Sequence, residues 1–285
     1  MSESAGAGLR RRSVVGGLGA LGVAAAGSEP AAAGKRTIVM LHGAFSGAWS
    51  FAVFRRVFQE LGWDVHTPDL LYHGADKAAG ARLAGVSIRR YARQMERFLG
   101  RFATPPVLLG HSMGCVIGQQ LAARGLVRAM ILVGPAGRYG ILPSTDFERD
   151  GSQGLMNLGP FWQQAVFANF EVAVATSLNR IPPARQRAVF DEFGPESGQA
   201  LFELFFWMLD NGKTTRVDTE AVRCPVLVVR GSDDRVISAG TAKATAAAYP
   251  GAAYWQEPNH GHMLLVEPGA EAIARRIARW AAQRS

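Results

Sequence analysis

The chain has 285 residues, with 31 Lys and Arg against 23 Asp and Glu for a net charge of +8; past the signal-like start the basic residues form no runs and do not interleave with aromatics, which argues against nucleic-acid binding. Hydrophobic residues make up 48% and charged residues 19%, the balance of a globular chain long enough for one large domain with an insertion. Two cysteines exclude a disulfide framework, and no stretch beyond the N-terminus has the roughly 20 apolar residues of a stable membrane insertion.

In chain order, Arg10-Arg11-Arg12 precedes a Gly/Ala-rich apolar run to about Ala26. A polar break at Ser28-Glu29-Pro30 and then Ala31-Ala32-Ala33 follow. A charged start, a short apolar middle and an A-x-A site are the layout of a secretory signal. Residues 1–33 are therefore expected to be removed, with cleavage after Ala26 or Ala33. The paired arginines and weakly hydrophobic core resemble a twin-arginine signal, which implies export in the folded state to the periplasm or the exterior. The alternative is a leader retained in the cytoplasm.

Thr37-Ile38-Val39-Met40-Leu41 reads as the first strand, followed by the loop His42 to Trp49, a helix over Ala48 to Leu61 and a strand over Asp64 to Thr67. The loop Pro68 to Gly74 and a polar stretch lead to a helix from Ser87, its predicted N-cap, to Leu99. The apolar run Pro106 to Leu109 then enters Gly110-His111-Ser112-Met113-Gly114, and a helix runs on through Cys115 to Arg124 and stops at Gly125. A strand entering G-x-S-x-G and leaving as a helix is the nucleophile elbow. The turn is so tight that side chains two before and two after the serine would meet backbone, so both positions require glycine. The serine is forced into a strained conformation, with helix amides aimed at its hydroxyl. His111 is expected to be structural.

Ala129 to Val133 is the next strand, and the alternation to this point predicts an α/β chain with a mostly parallel sheet covered on both faces. From Gly134 to about Val222 the alternation stops, over a span too long for a connection. Helices are predicted there over Pro160 to Leu178, Pro183 to Phe193 and Glu196 to Leu209. The strand Pro225 to Arg230 breaks into Gly231-Ser232-Asp233-Asp234, which places two carboxylates beyond its carboxyl end, where open α/β sheets carry their chemistry. A last strand, Ala252 to Gln256, is followed by Pro258-Asn259-His260-Gly261-His262 and a final helix from about Pro268. A serine nucleophile needs a base, and the base needs an orienting carboxylate. Asp233 or Asp234, and His260 or His262, can supply them.

His42-Gly43, Gly-His-Ser-Met-Gly at 110–114, Gly231-x-x-Asp234 and Gly261-His262 together resemble the α/β-hydrolase superfamily, from Thr37 to the C-terminus outside the middle segment. The resemblance implies the α/β-hydrolase fold, with a core at 34–137 and 222–285 and a helical cap inserted at 138–221. It implies Ser112 as nucleophile, His262 as base and Asp234 as acid, with Asp233 the second candidate for the acid. His260 falls outside the motif, as a loop histidine capping a turn. Oxyanion donors would be the backbone amides of Met113 and of Ala44, with Phe45 next after Ala44. His42 would stabilise its loop. Phe45, Trp162, Phe206 and Trp207 are candidate pocket walls for an apolar acyl or aryl group.

These parts amount to acyl transfer to water, so the expected activity is hydrolysis of a carboxylic ester or lactone through an acyl-enzyme intermediate. The partner is then a small-molecule ester, with no metal or organic cofactor. Alternatives are a thioester or C–C bond hydrolase, a hydroxynitrile-lyase-like enzyme, or a low-turnover receptor of the same fold. A serine nucleophile argues against dehalogenase and epoxide hydrolase chemistry. The lyase branch usually places a lysine near the histidine, and Lys243 falls in a predicted helix.

Overall fold

A computed structural model describes residues 36–74 and 80–284; the predicted signal at 1–33 lies outside the described residues. The strands are β1 (Thr37–Leu41), β2 (Asp64–His66), β3 (Val107–His111), β4 (Ala129–Val133), β5 (Ala165–Val166), β6 (Glu196–Ser197), β7 (Val226–Gly231) and β8 (Ala253–Glu257). The α-helices are α1 (Ala52–Glu60), α2 (Gly80–Leu83), α3 (Ile88–Leu99), α4 (Met113–Ala122), α5 (Asp146–Met156), α6 (Phe170–Ala175), α7 (Pro183–Asp191), α8 (Gly198–Phe205), α9 (Ala239–Ala247) and α10 (Ala270–Ala282). Six strands form one parallel sheet in the order β2-β1-β3-β4-β7-β8.

The sheet is apolar on both faces because its central strands are unbroken apolar runs, and β3, β4 and β7 are buried along their whole length. Alternate residues divide between the faces. Val39, Leu41, Leu108, Leu132 and Val228 pack with Tyr91, Met95 and Leu99 of α3 and Val116, Ile117 and Leu121 of α4. On the other face Ile38, Met40, Leu109, Ile131 and Val229 meet Phe54 and Phe58 of α1 and Ile273, Ile277 and Trp280 of α10. Each face buries enough apolar surface to make the sheet a rigid platform whose carboxyl ends carry loops.

The predicted N-cap of α3 is present: Ser87 Oγ accepts from the Arg90 amide at 3.2 Å. The helix behind the elbow starts at Met113, two residues earlier than expected, directly behind Ser112.

The segment 138–221 differs more from expectation. No single helix spans 160–178. A short 3-10 turn at Phe161–Gln163 passes through an extended Gln164 into β5, and Asn169 then starts α6 by accepting from the Val172 amide at 3.0 Å. β5 pairs antiparallel with β6, so Glu196 and Ser197 are strand rather than the start of a helix. Ser197 then caps α8 through the Ala200 amide. Helix α5 was not expected, because its sequence carries Gly151 and Gly154 and little apolar periodicity; Thr145 caps it. Capping side chains and one strand pair thus override helix propensity here.

Candidate functional site

Ser112 sits between β3 and α4 with φ 49° and ψ −115°, a backbone conformation that costs a non-glycine residue on the order of 1–3 kcal/mol. Its neighbours hold it there. The Ser112 amide donates to the Val133 carbonyl at 3.0 Å, and its carbonyl accepts from Cys115 at 3.0 Å and Ala136 at 3.3 Å. The two elbow glycines are dictated by contact: a Cβ on Gly110 would stand 2.6 Å from the Gly114 carbonyl oxygen, and one on Gly114 would run into the Leu41 carbonyl of β1. Met113 opens α4, so its amide has no intrahelical acceptor.

Asp234 follows β7 and His262 follows β8, and the structure pairs them: His262 Nδ1 lies 3.0 Å from Asp234 Oδ2, both side chains buried. The other carboxylate oxygen accepts the Val236 and Ile237 amides at 2.8 Å each. Burial pushes the Asp234 carboxyl up, but the His262 charge and hydrogen bond together with those two amides outweigh it and hold the pKa below the usual range. The guanidinium of Arg230 braces the loop by donating to the carbonyls of Ile237 at 2.9 Å and Asp234 at 2.9 Å.

The acid and histidine loops touch at Gly231, where a Cβ would run into the carbonyl oxygens of His260 and Gly261. Gly231→Ala is expected to push the histidine loop aside and lower kcat by about 100-fold, since misplacement of about 1 Å costs that much. Steady-state kinetics beside a thermal melt will check this, and unchanged kcat would show that the loops tolerate the methyl.

Asp233 points elsewhere, accepting from Ser232 Oγ at 2.8 Å and lying 3.4 Å from Arg180 Nε. His260 is half-buried, its two ring nitrogens against the carbonyls of Pro258 and Pro268, as a turn cap would be. His111 reaches across to the histidine loop, with Nε2 at 3.0 Å from the His262 carbonyl and the two rings 4.9 Å apart. Burial and the neighbouring His262 lower its pKa to about 3, so it is neutral and donates from Nε2.

The loop after β1 passes directly against the elbow, where a Cβ on Gly43 would be 2.8 Å from Ser112 Cβ. Ala44 is the next residue along this loop. Phe45 has φ 61°, and its carbonyl accepts the Gly194 amide at 3.0 Å, tying this loop to the inserted segment. His42 supports it from within: Nε2 accepts the Leu70 amide at 3.0 Å, so Nδ1 donates to the Gly43 carbonyl at 2.9 Å. Burial and the nearby His73 lower the His42 pKa to about 4, which keeps that neutral tautomer.

Behind His42 lies a network that the sequence did not disclose. His73, its ring 4.9 Å from that of His42, places Nδ1 3.1 Å from the Leu71 carbonyl and Nε2 3.0 Å from Glu196 Oε2. Both nitrogens face acceptors, so the ring is an imidazolium. The Tyr91 hydroxyl donates to Glu196 Oε1 at 2.8 Å, and the Ser197 amide donates to the same oxygen at 2.7 Å. Burial lowers the His73 pKa, but the Glu196 carboxylate outweighs it and the net shift is upward; burial raises Glu196, and its three partners bring it down. These residues stand 18 and 105 positions from Tyr91 and share no motif, so only the fold brings them together.

Of the four candidate wall residues, Phe45, Trp162 and Phe206 join Ala44 in one apolar cluster around Phe161 and Leu201. Trp207 lies apart, its ring 4.8 Å from Tyr139 and its Nε1 donating to the Ile141 carbonyl at 3.1 Å. A cleft of about 270 Å³ adjoins the loop after β1, lined by Ser46, Trp49, Asp69, Tyr72, His73 and Glu192 among others. Among the described residues, every large exposed apolar side chain except Leu61 belongs to 138–221, including Leu142, Phe167, Val172 and Leu209. Also among the described residues, no group of three His, Cys, Asp or Glu side chains is placed to hold a metal ion, and no helix is long and apolar enough to cross a membrane.

A family-wide sequence profile described as alpha/beta hydrolase family matches residues 38–275. Among curated protein sequences none matches. Solved structures similar to this chain include a pyrethroid hydrolase from Sphingobium faniae, at 22% identity and TM-score 0.65 over 87% of this chain and 97% of that one. An extracellular alpha/beta-hydrolase from a Paenibacillus species aligns at 17% identity and TM-score 0.65, over 88% and 99%. Tomato methylketone synthase I aligns at 12% identity and TM-score 0.68, over 88% and 99%. At these identities the likeness shows the fold.

Proposed function

The chain belongs to the alpha/beta hydrolase family, and on that footing we propose that it hydrolyses carboxylic esters or lactones with an apolar acyl or aryl group, through an acyl-enzyme on Ser112. The observation that carries this reading is a strained serine at the head of α4 on the same sheet edge as a buried His262–Asp234 pair. With Asp234 accepting from Nδ1–H, the free lone pair of His262 is on Nε2, the tautomer that can take the serine proton. Ser112 Oγ attacks the ester carbonyl as His262 accepts that proton. The imidazolium, stabilised by Asp234, then protonates the leaving alcohol. Water attacks the acyl-enzyme with His262 again as base. The amides of Ala44 and Met113 hold the oxyanion, each worth roughly 3–4 kcal/mol in the transition state.

Residues 138–221 act as the cap. Phe45, Trp162 and Phe206 clustered beside Ala44, and the apolar side chains standing exposed on the same segment, support an apolar substrate. Trp207 contributes through Tyr139 and the loop after β4 rather than through that cluster. Residues 1–33 are an export signal, a reading that the extracellular Paenibacillus neighbour supports. The intact mass of protein exported by a twin-arginine-competent host will read it, and a full-length cytoplasmic species would count against export.

The activity test is hydrolysis of p-nitrophenyl acetate, butyrate, octanoate and palmitate by the wild type and by Ser112→Ala. Repeated turnover that disappears in the variant is expected, and the chain-length profile sizes the acyl site. Turnover surviving in Ser112→Ala would overturn the serine mechanism. A single burst without turnover would move the protein to thioester, C–C or lyase chemistry or to a receptor role.

A further inference from the structure

Among the described residues, two buried oxygens beneath the histidine loop find no hydrogen-bond partner: Glu267 Oε1 and Asn179 Oδ1. Both face one point. The position a Cβ on Gly261 would occupy lies 3.0 Å from the first and 2.5 Å from the second. The remaining atoms of both side chains are committed. Glu267 Oε2 accepts the Gly261 amide at 2.8 Å, and Asn179 Nδ2 donates to the Asp233 carbonyl at 2.9 Å. The second bond orients the amide, because only its NH₂ can serve a carbonyl, and so fixes Oδ1 as the atom beside Gly261. Two unpaired acceptors beside one buried point are costly, and one proton shared between them removes the cost.

We propose that Glu267 is a positioning residue that, in its protonated form, donates to Asn179 and so fastens the loop carrying His262 to the loop carrying Asp234. The bridge runs from the Gly261 amide through Glu267 and Asn179 to the Asp233 carbonyl. It joins a residue next to the base with a residue next to the acid through a side chain of the inserted segment. Beside it, the Asp233 amide donates to the His260 carbonyl at 2.8 Å. When the proton leaves, Glu267 Oε1 and Asn179 Oδ1 repel, and the bridge opens.

The charges around this carboxyl are those of His260, His262 and Asp234, with Arg180 beyond, held at the Asn259 carbonyl and near Asp233. Burial raises the Glu267 pKa to about 7 against the lowering effects of the Gly261 amide and the two histidines. The carboxyl therefore changes state in the range where the enzyme is assayed.

This inference rests on the esterase reading for its kinetic consequence, and the test separates the two. Glu267→Gln keeps both bonds without a titratable proton, since its amide N–H can donate to Asn179 and its oxygen can accept from Gly261. Wild-type kcat is expected to fall on the alkaline side of about pH 7, and Glu267→Gln to keep the low-pH activity and lose that limb. Asn179→Ala, which removes the acceptor, leaves the bridge open at every pH and so shows the reduced kcat of the alkaline form throughout, without that limb. Glu267→Leu loses at least about tenfold in kcat at every pH, as a displaced catalytic group does.

Thermal unfolding across the same pH range needs no turnover. The folded pKa lies above the unfolded value of 4.5, so the native state binds the extra proton and wild-type stability falls, relative to Glu267→Gln, as pH rises from 4.5 through about 7. Superimposable pH profiles and a constant difference in Tm would overturn the proton bridge. The Tm readout judges the bridge even if no ester is turned over.

Discussion

Replacing Asp234 by asparagine is expected to lower kcat by about 10,000-fold, whereas Asp233→Asn stays within about threefold of wild type. The two carboxylates are adjacent in sequence and different in every physical respect. Asp234 is buried, accepts from His262 Nδ1 and takes two backbone amides on its other oxygen. An asparagine there either offers its NH₂ to Nδ1, forcing the proton onto Nε2, or turns the NH₂ toward the Val236 and Ile237 amides. The first outcome blocks the base and the second strands three donors. Asp233 is partly exposed against Ser232 and Arg180, and loses only a surface ion pair. Kinetics of the two variants on one p-nitrophenyl ester decide it. Equal losses would mean that the acid has been misidentified.

The second large effect is on stability. His73→Ala is expected to cost about 3–5 kcal/mol in urea unfolding near pH 6, because it leaves the Glu196 carboxylate buried without its cation. Glu196→Gln should cost a similar amount by stranding the imidazolium, and the double variant less than the sum, since the two share one interaction. The pH dependence follows from the two shifts. His73 is raised in the folded state, so its contribution is complete below 6.5 and disappears as pH rises through the higher folded value. Glu196 is lowered, so its contribution is present above 4.5 and disappears as pH falls through the lower folded value. The gap between wild type and His73→Ala is therefore widest from about 4.5 to 6.5 and narrows on the alkaline side. A pH-independent gap would show that packing, not charge, is lost. Because Glu196 ties the inserted segment to the loop behind His42, the variant is also expected to bind the oxyanion less well, which a fall in kcat without a rise in KM would report.

What was legible in the sequence is what short-range sterics and periodicity dictate. The unbroken apolar runs at 107–109, 129–133 and 226–229 can only be strands buried on both faces, and the structure has them there. Gly110 and Gly114 flank Ser112 because the turn leaves no room for a Cβ, a constraint written in five consecutive residues. The choice between Asp233 and Asp234, or between His260 and His262, came only from family likeness, since adjacent loop residues give no periodic signal. Side-chain direction, which the fold alone sets, pairs one member of each.

The inserted segment was the least legible part. Its path is governed by single capping side chains such as Asn169 and Thr145, and by the pairing of two short strands thirty residues apart. Local propensity cannot outvote such contacts, nor anticipate them. The same holds for the His73–Glu196–Tyr91 group, where buried polar atoms find partners scattered along the chain. The amino-acid order by itself determined the sheet, the elbow and the kind of chemistry they permit, because those depend on neighbours a few residues away. Which buried polar groups meet, and therefore how the base is oriented and which carboxyl holds a proton, was decided only when the chain closed on itself and removed water from between them.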